Sequence, residues 1–337
     1  MREIYHQIQA RLDRLDFSAL WPGFNLFPFA LYDDQIVYLA DCEIPWDERF
    51  LANTAIAFEG SYMAIWNMDF EVNKDLDLLT ANIVHEMFHC YQNEHGESRF
   101  ANDLELLRYP LDIEIFQTKY AENERLVHYI QTADRSALQQ FVYLRDTRHK
   151  KTPVHIENEW KIETIEGAAE FVGMRALRQL APDKFEERLQ SYLAAITGLS
   201  AEILAVRRQA YYTGTLLLLA LPPVELNQTE LIYKQLTKEI EPLPFSVRHE
   251  EKITQILKEE TEQRKAIMTH FTEKEHITGK ITGYDPMNMV RWQDFIYCKH
   301  FVKVGATFLS GPLVLEMQID SLNDVQAVYR KNFRGKQ

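Results

Sequence analysis

The chain has 337 residues, enough for one large domain or two closely packed lobes. Hydrophobic residues make up 46% and aromatics 12%, which excludes a disordered chain and supplies a sizeable core. Lys and Arg number 37 against 50 Asp and Glu, and the net charge of -13 argues against a nucleic-acid surface and against docking on anionic lipid. Cys42, Cys90 and Cys298 are too few and too scattered for a disulfide framework or a thiolate zinc cluster, which points to a reducing compartment. Met1 to Leu20 alternates charge with apolar residues and lacks the apolar core of a signal peptide. The longest apolar run, around Leu216 to Leu221, falls far short of the roughly 20 residues of a membrane span. The expectation is a cytoplasmic protein with no membrane and no nucleic-acid partner.

In chain order, residues 2–16 carry Ile4, Ile8, Leu12 and Leu15 at helical spacing. From Trp21 to Trp66 aromatic and β-branched residues are broken by Pro22, Gly23, Pro28, Asp33-Asp34, Pro45 and Gly60, which predicts short strands around 27–32, 35–40, 55–58 and 62–66. From Asp75 to about Leu221 the pattern is helical, and helices are expected to continue to about Lys274. Gly279, Gly283, Asp285-Pro286 and Gly305 mark a return to turns and strands up to Glu316. Leu322, Val325, Val328 and Tyr329 predict a final helix over 321–332. The fold class is α+β, with a β-rich N-terminal part (1–74), a large helical core (75–225) and a helical segment with a small β cap (226–337), forming one unit.

Within the helical part, His85-Glu86-Met87-Phe88-His89 sets two imidazoles four residues apart. On a helix of about 3.6 residues per turn they share a face and can grip one ion, with Glu86 about 100° round the cylinder. Asn73 or Asp75 can cap this helix, Gly96 can end it, and Leu79, Ile83, Met87 and Cys90 or Tyr91 form its apolar stripe. Imidazole nitrogen and carboxylate oxygen suit one Zn²⁺ with a position left for water, so a third protein ligand is required. The segment 158–180 offers it: Asn158 as cap, Pro182 as stop, Ile162, Ile165, Ala169, Val172 and Leu177 as apolar face, and Glu166 at the centre. Gly167, Ala168 and Ala169 let this helix approach the histidine helix closely, offsetting the cost of about 1 kcal/mol for an interior glycine. Glu170, one turn on, can accept the free N–H of a ligating histidine. Glu159 and Glu163 are expected to be solvated helix carboxylates.

His85-Glu86-x-x-His89, followed by Trp160-x5-Glu166-Gly167-x-Ala169-Glu170, resembles the gluzincin metallopeptidases, the thermolysin and aminopeptidase N-like group. The resemblance implies His85, His89 and Glu166 as zinc ligands, Glu86 as general base and Glu170 as the carboxylate behind a ligand. Tyr211-Tyr212-Thr213-Gly214 is similar to the Tyr-x-x-Gly segment that opens an apolar helix in aminopeptidase N-like enzymes, which implies Tyr211 over the metal. A phenol there can donate to a developing oxyanion. The resemblance covers roughly residues 55–220 and implies a peptide or protein substrate, paired by β-addition along residues 55–66.

Two departures stand out. The gap between His89 and Glu166 is long, so an inserted helical segment around 103–148 is expected to overlie or flank the cleft. A Gly-x-Met-Glu-Asn segment is absent from the sequence, and Glu59 in Phe58-Glu59-Gly60 is expected to be an exposed turn residue, so aminopeptidase specificity is not implied. The other histidines, among them His95, His128, His149, His155, His249, His270, His276 and His300, are expected to be surface or satisfied polar residues. Two rival readings are a catalytically silent gluzincin-fold binding protein and a di-iron carboxylate protein. The latter would use Glu86-x-x-His89 and Glu273-x-x-His276 on buried helices. Gly283 to Met289 reads as a tight turn entering the C-terminal strands, or as a segment packed over the cleft.

Overall fold

The computed structural model describes residues 1–69, 75–221 and 226–331. Its N-terminal helix α1 (Arg2–Leu12) buries Tyr5, Ile8 and Leu12 and stops four residues short of the expected end. Asp16 caps a separate short helix, α2 (Phe17–Leu20), by accepting from the Ala19 amide. Five strands follow: β1 (Phe29–Tyr32), β2 (Ile36–Tyr38), β3 (Glu43–Pro45), β4 (Thr54–Phe58) and β5 (Ser61–Asn67). Their spatial order is β3-β2-β1-β5-β4, with β1 and β5 parallel and the other pairs antiparallel. One face of the sheet packs on the helices, and β4 lies at its edge with one side of its backbone unpaired by another strand among the described residues.

The helical part runs through α3 (Leu76–Glu94), α4 (Asp103–Leu106), α5 (Ile113–Thr132), α6 (Arg135–Lys151), α7 (Pro153–Ile162), α8 (Ala168–Leu180), α9 (Pro182–Thr197), α10 (Val206–Ala220), α11 (Ile232–Thr237) and α12 (Glu251–Thr269). No helix among the described residues is long and apolar enough to cross a membrane. The expected helix over 158–180 is longer and less regular than its apolar spacing predicts. It starts at Pro153, whose ring suits the first helical position and whose missing N–H costs nothing there. Asn158 is therefore not a cap; it sits inside α7, accepts from the Asn102 amide and donates to the Val154 carbonyl. Between α7 and α8 the chain makes one π-helical turn, Glu163–Gly167. Pro182 opens α9 rather than merely closing α8.

Eight strands build the C-terminal sheet: β6 (Phe271–Glu275), β7 (Gly279–Tyr284), β8 (Met289–Trp292), β9 (Phe295–Cys298), β10 (Phe301–Val304), β11 (Thr307–Ser310), β12 (Leu313–Met317) and β13 (Asp324–Lys331). All pairs are antiparallel, in the order β11-β10-β7-β13-β12-β9-β8 with β6 also on β13. The expected terminal helix over 321–332 is thus a strand. Val325 and Ala327 are buried around an exposed Gln326, an alternation of period two, and β12, β6 and β7 saturate the backbone of β13. Helix also gives way before Lys274. Glu273 lies exposed on β6, so the second Glu-x-x-His of a di-iron bundle has no buried helix to stand on.

Glu159 and Glu163 overturn their expected exposure, since both are buried. Glu159 accepts from Lys119 Nζ (2.8 Å) and from Arg148 (2.8 Å), and Arg148 also donates to Glu122 (2.7 Å). Arg145 joins Glu122 (2.7 Å) to Glu163 (2.8 Å), and Thr213 of α10 donates to Glu163 (2.6 Å). The hairpin α5–α6 carries the cations, so the inserted segment serves as the far wall of this ion network. Among the described residues none from 103 to 148 lines the cleft described next.

Candidate metal centre

Asp75 caps α3, accepting from the amides of Asp77 (3.0 Å) and Leu78 (3.2 Å). The alternative cap, Asn73, lies outside the described residues. Gly96 ends the helix in a left-handed conformation (φ 71°), where a glycine carries no Cβ penalty. Leu79, Ile83, Met87 and Cys90 are buried in the core, and His85, Glu86 and His89 face a cleft of about 810 Å³.

The second helix comes close through a glycine, although not the one the sequence suggested. A Cβ on Gly173 of α8 would lie 2.8 Å from the Ala81 carbonyl and 3.5 Å from His85 Cβ, so only a bare Cα fits against α3. Gly167 instead faces α10, where its Cβ would meet the Gly214 Cα at 2.8 Å. The two close approaches fix α8 against α3 on one side and the π-helical turn against α10 on the other.

His85 Nε2 and His89 Nε2 stand 3.2 Å apart, and Glu166 Oε2 is 3.1 Å from His89 Nε2 and 3.6 Å from His85 Nε2. His85, His89 and Glu166 therefore form a group of three residues able to hold a metal ion. Ligand atoms on one face of a zinc tetrahedron with bonds of about 2.0–2.1 Å are separated by about 3.3–3.4 Å, close to this triangle.

Behind the triangle, each Nδ1 is engaged. His85 Nδ1 lies 3.0 Å from Glu170 Oε2, as the spacing predicted, and His89 Nδ1 lies 2.7 Å from Gln92 Oε1. Gln92 donates its Nε2 to the Ile165 carbonyl (2.9 Å), which turns its oxygen toward the ring. Both Nδ1 atoms thus donate, and neutral rings direct two bare Nε2 lone pairs at each other and at a carboxylate. Such an arrangement repels itself unless a proton or a metal ion stands among the three atoms.

Charge counts agree. Glu170 is held by Arg188 (2.9 Å) and by the Tyr192 hydroxyl; Glu166 Oε1 is held by Arg207 (3.0 Å), which also pairs with Asp103. With Glu86, four carboxylates face two guanidiniums, leaving two negative charges for protons on the two imidazoles or for a divalent ion to balance. Burial would lower the His85 imidazole, but hydrogen bonds to Glu166 and Glu170 push it up to about 10. Burial likewise opposes ionisation of Glu170, yet the Arg188 charge and the His85 bond hold it down at about 2. Glu86 is pushed upward, chiefly by burial, with the neighbouring histidines opposing.

Tyr211 lies in the second turn of α10, its ring stacked toward His85 with centroids 6.1 Å apart. Burial first, then the Glu166 charge, holds its phenol well above the ordinary value, so it keeps its proton. Tyr212 turns away and stacks on Tyr192 at 4.4 Å. Trp160 is core, stacked on Tyr233 at 4.9 Å, and Ala169 is buried. Glu59 sits at the exposed β4–β5 turn with φ 48°, outside the cleft.

The remaining walls come from the two sheets, partly from stretches the sequence had offered as a peptide-pairing strand and a segment over the cleft, and partly from Leu51 to Thr54, Phe301 and Lys303, which it had not marked. Leu51 to Ala55 and Trp66 come from the N-terminal sheet; Thr282 to Met287, Phe301 and Lys303 come from the C-terminal one. Gly283 to Met287 therefore line the cleft, and the segment also leads into the strand β8. Gln92 follows His89 by three residues on the same helical face and was findable from spacing. Arg188, Arg207 and Tyr192 had no local signal. No family model, curated protein or solved structure matches this chain.

Proposed function

We propose that this chain is a zinc-dependent peptide hydrolase of gluzincin type. The observation that carries it is the convergence of His85 Nε2, His89 Nε2 and Glu166 Oε2 in an open cleft that also holds Glu86. Two imidazoles and one carboxylate are a hydrolytic zinc set that leaves a coordination position for substrate or water. Zn²⁺ bound there would polarise a carbonyl and acidify a water.

The chain's own groups supply the rest. Glu170 and Gln92 fix the ring orientations of the two histidines. Glu86 takes the proton of the attacking water and returns it to the leaving amine. The protonated Tyr211 phenol donates to the oxyanion that develops on the scissile carbonyl. Thr54 and Ala55 of the edge strand β4 line the cleft, so an extended peptide can add to that edge by main-chain hydrogen bonds.

Elemental analysis of purified protein is expected to find zinc at about one per chain. Chelation should abolish cleavage of a mixed peptide pool, and zinc should restore it. Glu86→Gln should keep the metal and lose about 10²- to 10⁴-fold in kcat. A zinc-free protein, or a Glu86→Gln variant as active as the parent, refutes the reading. Tight peptide binding without cleavage would favour a silent gluzincin-fold binding protein.

A further inference from the structure

Resting on that hydrolase reading, we propose that the cleft recognises the free carboxylate of a peptide's carboxyl end, with Lys303 as its anchor, and so trims peptides from that end. Lys303 lies on β10 directly opposite Gly283 of β7. A Cβ on Gly283 would sit 3.4 Å from both Cβ and Cδ of Lys303, so the lysine stem lies along bare glycine backbone. Phe301, two residues earlier on the same face of the strand, lines the cleft beside it.

Availability separates this cation from the others. Arg207 is taken by Glu166 and Asp103, and Arg188 by Glu170. Lys303 is half-buried, and no ion pair or hydrogen bond of its ammonium is found among the described residues. The opposite charge is not on offer. Asp285, on the same wall, accepts from Asn288 (2.8 Å) and faces His300 Nδ1 (2.8 Å), while Glu166 and Glu170 serve the histidines and Glu86 serves the water. Glu59, at the β4–β5 turn, lies outside the cleft. Among the described residues, a free carboxylate thus meets an unpaired ammonium, whereas a free amine meets no spare acid. Lysine suits a single charged chain end as a compact point charge.

The test compares N-acetyl-trileucine as the free acid and as the carboxamide, probes that differ only at the terminus. Calorimetric binding to the zinc-loaded Glu86→Gln protein should favour the acid by about 10- to 100-fold, the range of a charge-assisted hydrogen bond. Cleavage by the parent should show the same preference, mainly in KM. Lys303→Gln should collapse the acid-to-amide ratio toward one, and Lys303→Arg should keep most of it. Equal binding of acid and amide overturns the proposal, as does a ratio that survives in Lys303→Gln. These outcomes leave the hydrolase reading standing if Glu86→Gln still abolishes cleavage. A strong acid preference in binding with no cleavage of either probe by the zinc-loaded parent would instead sink the hydrolase reading and keep the carboxylate site.

Discussion

Two clusters of buried charge meet on the single run of helix from Pro153 to Leu180, and they differ in how they are closed. In the ion network, Lys119, Arg145 and Arg148 face Glu122, Glu159 and Glu163, three charges of each sign, all essentially inaccessible to solvent. Every carboxylate there bonds directly to a cation. At the metal centre the carboxylates outnumber the guanidiniums by two, the cluster opens to a cleft, and its two histidine Nε2 atoms face each other. A closed set of charges needs nothing from outside and gives rigidity. An open set short of positive charge has room to take up a cation. Burial and strong pKa shifts are common to both, so neither distinguishes structure from function; the balance of charge does.

Breaking the closed set should have the largest effect. Arg148→Met leaves Glu122 and Glu159 short of a partner in the interior, and unfolding in urea should show a loss of about 3–5 kcal/mol. A network that tolerated this change would not be the scaffold described. Opening the metal centre should cost function rather than fold. Glu170→Gln removes the acceptor behind His85, and competition with a chromogenic chelator should show zinc affinity falling about 10- to 100-fold while the protein stays folded.

Mild acid should have the smallest effect. Burial opposes ionisation of Glu122 and Glu159, but the guanidinium charges overcome it and hold both below the ordinary 4.5. Their stabilisation is therefore complete above pH 4.5 and is lost only as pH falls through the depressed folded values. Glu163 is pushed upward by burial and runs the other way, since taking up a proton relieves its burial and offsets part of the loss. Melting temperature should stay nearly flat from pH 7 to about 5 and drop only in stronger acid. A steep fall between pH 6 and 5 would contradict the closed picture.

What the sequence made legible follows from distance along the chain. His85, Glu86 and His89 share one helix, and Glu166 and Glu170 another, so periodicity was enough to pair them, and the structure brings them together. The strands β1, β2, β4 and β5 carried their own punctuation in Pro28, Asp33 and Gly60. Partners far away in sequence left no mark: Arg207 joins Glu166 across 41 residues, and Lys119 joins Glu159 across 40. The last strand was hidden because Leu322, Val325 and Val328 fit a helical spacing, and only neighbouring strands decide otherwise. Glu159 and Glu163 were misjudged for a local reason. In an unbroken helix they fall on the same stripe as Glu166 and Glu170, so spacing could not assign two pairs of carboxylates to two different surroundings.

The π-helical turn at Glu163–Gly167 resolves that ambiguity and has a further meaning. Such a turn is equivalent to one extra residue threaded into an α-helix, and it rotates everything downstream by about 100°. Deleting a single residue within it would restore a regular helix and leave Glu170 in its present phase, whereas straightening the turn at full length would swing Glu166 and Glu170 back toward the ion network. The candidate metal site thus hangs on the phase set by one turn, as a key depends on the phase of its cuts rather than on their depth.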